Sequence, residues 1–70
     1  MKTHLQSVGD VDAKPATEIK PGDCLMWNFG IKSIVTAILK ETKTQIVIEE
    51  RYDSGTYQRR LGKNTLVAIV

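Results

Sequence analysis

Ile19-Lys20-Pro21-Gly22-Asp23, running into Cys24-Leu25-Met26-Trp27-Asn28-Phe29-Gly30, is the stretch whose reading decides the fold. Pro21 presets φ and Gly22 accepts a positive one, so the pair suits the centre of a type II turn. Asp23 then leads into an aromatic strand, Cys24 to Phe29, in which Leu25, Trp27 and Phe29 share one face and Cys24, Met26 and Asn28 the other. Gly30 breaks it. Runs rich in Ile, Val, Thr and Tyr follow out to Val70, separated by turn residues, which is the pattern of a small antiparallel barrel.

Downstream, Lys32 to Lys40 is the next strand. Its centre, Ile34 to Leu39, is apolar on both faces, so both are expected to be covered, the outer one by residues 1–15, a loop or a second copy of the chain. A helix over Ile31 to Glu41 is the competing reading, and the β-branched content argues against it. Lys43 to Arg51 alternates, with Ile46 and Ile48 on one face and Gln45 and Glu49 on the other. Asp53-Ser54-Gly55 closes a hairpin with glycine in the left-handed position. Thr56 to Leu61 turns Tyr57 and Leu61 inward and Thr56, Gln58 and Arg60 outward. Gly62-Lys63-Asn64 forms a tight turn or a single 3-10 turn, and Leu66 to Val70 is the last strand.

Upstream of the Pro-Gly turn, Ala16 to Lys20 is expected to add a short strand or turn. In residues 1–15 the apolar Leu5, Val8 and Val11 follow neither period two nor period 3.6, which predicts a flexible N-terminal arm.

A chain of 70 residues is one small domain, burying roughly 60% of the surface its unfolded form exposes. With 41% hydrophobic and 26% charged residues the composition is that of a soluble globular domain. The longest apolar run, Ile34 to Leu39, contains Thr36 and falls far short of the roughly 20 residues a spanning helix needs. Met1 to Ser7 lacks the apolar core of a secretory signal, and the expected location is cytoplasmic. The single cysteine, Cys24, excludes an internal disulfide. Together with the single histidine, His4, it cannot assemble a four-ligand zinc site. No metal or cofactor is expected.

Enzymatic constellations are thin. A nucleophilic Cys24 needs a base, and the only histidine lies in the arm. Glu49 and Glu50 point to opposite strand faces, so they do not cooperate as acid and base. The glycines are scattered singly among turns and make no phosphate loop. A non-enzymatic binding module is therefore expected.

The net charge of +2 is small, so placement of charge matters more than its sum. Arg59 and Arg60 are strand neighbours: one faces outward, and the other carries its guanidinium to the rim. With Lys63 and Lys32 they form a basic edge suited to phosphates or acidic side chains. Against this, Glu41, Glu49, Glu50 and Asp53 are interspersed, as on an ordinary solvated face. Tyr52, beside the turn, and Tyr57 are the candidate stacking residues. Trp27 either joins Tyr57 as a platform or fills the core with Phe29.

The order Ile-Lys-Pro-Gly-Asp, strand, loop, two long strands, glycine hairpin, tight turn and closing strand resembles the SH3-like barrel superfold, nearest in rhythm to Tudor and KOW modules. Met26-Trp27-Asn28-Phe29-Gly30, with Tyr57-Gln58-Arg59-Arg60-Leu61 and Leu66-Val67-Ala68, is also similar to small proteins of Gram-positive bacteriophages and prophages. The resemblance implies an all-β, SH3-like barrel of about five antiparallel strands over residues 16–70. It also implies a setting in the host cytoplasm, where binding nucleic acid and inhibiting a host or defence protein are the common tasks. The chain departs from a Tudor cage in offering only four aromatics, and Gly30-Ile31-Lys32 only faintly echoes the KOW glycine loop. Nucleic-acid binding through Lys32, Arg59, Arg60 and Lys63, with Tyr57 or Tyr52 stacking, is the first expectation. The alternative is a host-protein partner held on a strand edge or on an apolar outer face around Val35, Ala37 and Leu39, the same face serving a homodimer in a third reading. No membrane partner is expected.

Overall fold

A computed structural model describes all residues, Met1–Val70. Seven strands form one open antiparallel sheet: β1 (Lys2–Leu5), β2 (Gly9–Pro15), β3 (Cys24–Met26), β4 (Lys32–Glu41), β5 (Gln45–Tyr52), β6 (Gly55–Gly62) and β7 (Leu66–Ile69), in the spatial order β1-β2-β7-β3-β4-β5-β6. The chain is all-β, and its only helical pieces are single 3-10 turns at Ala16–Glu18 and Asn28–Gly30. No helix is long and apolar enough to cross a membrane. Of the seven strands five lie in residues 16–70, the number expected there, but the sheet is not closed.

The Pro-Gly turn forms as its residues dictate. Gly22 has φ of 95°, and the Asp23 N–H donates to Lys20 O at 3.1 Å. Burial of Ala16, Ile19, Leu25, Val35, Ile46, Ile48, Leu61 and Val67 makes one core inside the curl of the sheet, with Trp27, Ile38 and Ile69 packed on it. Each fully buried aliphatic side chain contributes roughly 1.5–3 kcal/mol, so these few residues carry most of the domain's stability.

Three expectations are corrected. Residues 1–15 are not a loose arm: β1 and β2 pair in a hairpin, and β2 pairs with β7 through Ala13↔Ala68, Lys14↔Val67 and Pro15↔Leu66. Gln6 N donates to Asn28 Oδ1 at 2.9 Å and Phe29 N to Gln6 O at 2.7 Å, tying this hairpin to the turn after β3. Leu5 and Ala13 are thereby buried, and Lys14 reaches Asp23 across the base of the hairpin.

The aromatic strand also ends early. β3 stops at Met26, and Phe29 sits at φ of 66° on the following turn and is 62% exposed, so it fills no core.

Val35, expected on an apolar outer face with Ala37 and Leu39, is a core residue opposite Glu50. Irregularities in the β4–β5 register, between Val35 and Ala37 and between Ile38 and Lys40, shift the strand's parity. Ile38 therefore follows Val35 inward, Ala37 is half-buried on the outside, and Leu39 stays exposed.

Candidate nucleic-acid interface

The register of β4, β5 and β6 fixes which side chains share a face. Ile46, Ile48, Glu50 and Tyr52 of β5 face inward, opposite Leu61, Arg59, Tyr57 and Gly55 of β6. The outer face consists of three cross-strand rows: Ile34, Arg51 and Thr56; Ala37, Glu49 and Gln58; Lys40, Val47 and Arg60. Lys32 continues the outer face along β4, opposite Met26.

Toward the β5–β6 turn the inner face changes from apolar to polar. Glu50 is only 1% exposed and is fully satisfied by its neighbours. Trp27 Nε1 donates to Ser33 Oγ at 3.0 Å, and Ser33 Oγ donates to Glu50 Oε1 at 3.0 Å. Glu50 Oε2 accepts from Arg59 Nε at 2.8 Å and from the Tyr52 hydroxyl at 3.2 Å, while Arg59 Nη2 donates to that hydroxyl at 3.0 Å. The guanidinium carbon lies 3.8 Å from the Trp27 ring centroid. Burial works against the Arg59 charge, but its bonds to Glu50 and Tyr52 outweigh that and raise its pKa above the ordinary value.

The structure thus divides the expected basic edge. Arg59, Tyr52 and Tyr57 meet at one rim, where the two tyrosine rings pack edge-on with centroids 5.7 Å apart. The Arg59 charge there is committed to Glu50, and the guanidinium occupies the Trp27 face that a Trp27–Tyr57 platform would use. Lys63 lies at the other end of the β5–β6 hairpin and pairs with Glu41 at 3.0 Å. Lys32 and Arg60 stand exposed on the outer face.

Of ten lysines and arginines, Lys2, Lys14, Arg59 and Lys63 are in ion pairs, which leaves six without a carboxylate. Four of the six, Lys32, Lys40, Arg51 and Arg60, share the outer face of β4–β5–β6, and Lys43 stands at its end in the β4–β5 turn. The one strand carboxylate on this face is Glu49, which accepts from Thr36 Oγ1 at 2.8 Å, and Asp53 adjoins it in the turn. Sequence reading places Lys40 and Arg51 beside the hairpins but leaves them out of the basic edge. The signal was present, since period two from the inward Ile46 and Ile48 sends Arg51 outward.

The rows holding Arg51 and Arg60 are four residues apart along the strands, about 13 Å, and β4 and β6 are about 10 Å apart across the sheet. Cations so spread cannot converge on one small anion. They match a ligand with repeated negative charge.

Cys24 lies half-buried opposite Ile34, and His4 Nδ1 is 3.0 Å from Asp10 Oδ1 in the first hairpin. No group of three His, Cys, Asp or Glu side chains is arranged to hold a metal ion. Comparison with family models, curated proteins and solved structures finds no match to this chain.

Proposed function

We propose that this chain is a non-enzymatic, cytoplasmic nucleic-acid-binding module that holds the phosphate backbone on the outer face of β4–β5–β6. The observation that carries the reading is the gathering of Lys32, Lys40, Arg51 and Arg60, all free of carboxylates, on one sheet face. Phosphate contacts of this kind are sequence-independent and release counterions. The SH3-like reading of residues 16–70 belongs to the same proposal, supported by five strands curled on one core. The test is anisotropy of a labelled single strand at about 50 mM salt. Lys40→Gln and Arg60→Gln are expected each to weaken binding several-fold and Lys63→Gln to leave it unchanged.

A second reading rests on β6, which ends the sheet with eight residues and no strand beyond it. An extended segment of a host protein would add there through main-chain hydrogen bonds. Binding of that kind survives nuclease and changes little with salt.

A further inference from the structure

A shallow cleft opens beside the polar rim, lined by Ile31 just before β4, by Glu50 and Tyr52 of β5 and by Tyr57 and Arg59 of β6, with the Arg59–Glu50 pair taken here as its floor. Ile31 and Tyr57 are each 51% exposed, so two large apolar surfaces are held apart facing solvent. Tyr57 is held there edge-on against Tyr52, with its hydroxyl 3.3 Å from Ser54 Oγ. The floor is a neutral pair with a directed edge. Arg59 spends Nε on Glu50 and one Nη2 hydrogen on Tyr52, while Nη1 has no partner in the chain. Its side chain is 38% exposed, so those remaining donors reach solvent. Because Glu50 cancels its charge, the floor favours a neutral acceptor edge over a second anion. Ile31, Tyr52 and Ser54 also line the adjoining cleft, where Lys32 and Arg51 stand.

We infer that the cleft between Ile31 and Tyr57 takes one unstacked base of a single-stranded nucleic acid, whose acceptor atoms receive the free guanidinium edge of Arg59. The inference rests on the phosphate-binding reading above and narrows it to single strands. A planar base between an aliphatic and an aromatic wall gains stacking energy that is independent of salt. The Arg59 donors match the acceptors on base edges. A paired base in a duplex cannot enter, since entry requires leaving the stack.

The experiment compares three labelled probes of about twelve nucleotides: a base-bearing single strand, an abasic strand of equal length and the corresponding duplex. Affinity is read by anisotropy, and the emission of Trp27, the only tryptophan, is read in parallel. The base-bearing strand is expected to bind about tenfold more tightly than the abasic one and alone to change Trp27 emission through Arg59. Tyr57→Ala and Ile31→Ala, both at half-exposed positions, are expected to abolish the difference while leaving abasic affinity intact. Equal binding of the base-bearing and abasic strands with unchanged Trp27 emission, or preference for the duplex, overturns the base cleft and leaves the phosphate face standing. Absence of binding by every probe at low salt overturns both.

Discussion

Arg59 Nε donates to Glu50 Oε2 across 2.8 Å, joining a cation that solvent reaches to a carboxylate that it does not. Removing the cation strands the carboxylate. Arg59→Ala is predicted to cost about 3 kcal/mol, the low end for breaking a buried pair because Arg59 is itself partly exposed. Glu50→Gln, which keeps the shape and most hydrogen bonds, is predicted to cost about 1–2 kcal/mol. Urea unfolding of both single variants and the double variant gives the coupling directly. A loss under about 1 kcal/mol for Arg59→Ala contradicts the role assigned to the pair.

Asp23 ties the Pro-Gly turn to the N-terminal hairpin. Burial pushes its carboxyl upward, but hydrogen bonds from Lys14 Nζ and Lys20 N–H, with the nearby lysine charges, outweigh this and hold it below the ordinary 3.8. A carboxyl with a lower pKa in the folded than in the unfolded chain stabilises above the unfolded value and loses that contribution as pH falls through the folded one. The Tm gap between wild type and Asp23→Asn is therefore predicted to be open at neutral pH and to close below about pH 4. A gap that stays constant down to strong acid speaks against the pair.

Phe29 has φ of 66° with an exposed ring, so its backbone costs energy that its side chain does not recover by burial. Phe29→Gly is predicted to lie within about 0.5 kcal/mol of wild type, because relief of the left-handed conformation offsets the added freedom of the unfolded chain. Phe29→Val, branched at Cβ, is predicted to destabilise by about 1–2 kcal/mol. Thermal melts of the two variants separate backbone strain from packing.

The N-terminal hairpin is structural. Deleting residues 1–15 removes β1 and β2, which leaves the β7 edge that faces β2 unpaired and Ala68 uncovered on that side. Hydrogen exchange is predicted to show slow amides in Ala13 and across β7 of the full chain, and fast ones in β7 of the truncated chain. Fast exchange through residues 2–15 of the full chain would restore a loose arm in place of the hairpin.

Much of this was legible from residue type and spacing. Pro21-Gly22 and Gly55 need backbone conformations that few residues adopt, so the turns were readable locally, and strands β4 to β7 fell close to their expected bounds. Parity placed Tyr57 and Leu61 on one face and Arg60 on the other. The same parity places Arg59 and Glu50 together on the inward face, and only the adjacency of two strands turns that coincidence into a bond. Residues 1–15 hid their hairpin because its strands are mostly polar and its turn puts Ser7 at φ of 64°, with the glycine, Gly9 at φ of 99°, only at its end. The bulges in β4 left no mark in composition. They separated Val35 from Ala37 and Leu39, expected on one face with it, because a one-residue slip exchanges the faces of a strand.

The central claim concerns four cations on one sheet face, and the dependence of single-strand affinity on salt tests it most directly. Four phosphate contacts at about −0.7 each predict a slope of about −2.8 in log affinity against log salt, falling close to zero when Lys32, Lys40, Arg51 and Arg60 are all replaced by Gln. A flat wild-type line, or an unchanged slope in the fourfold variant, would contradict it.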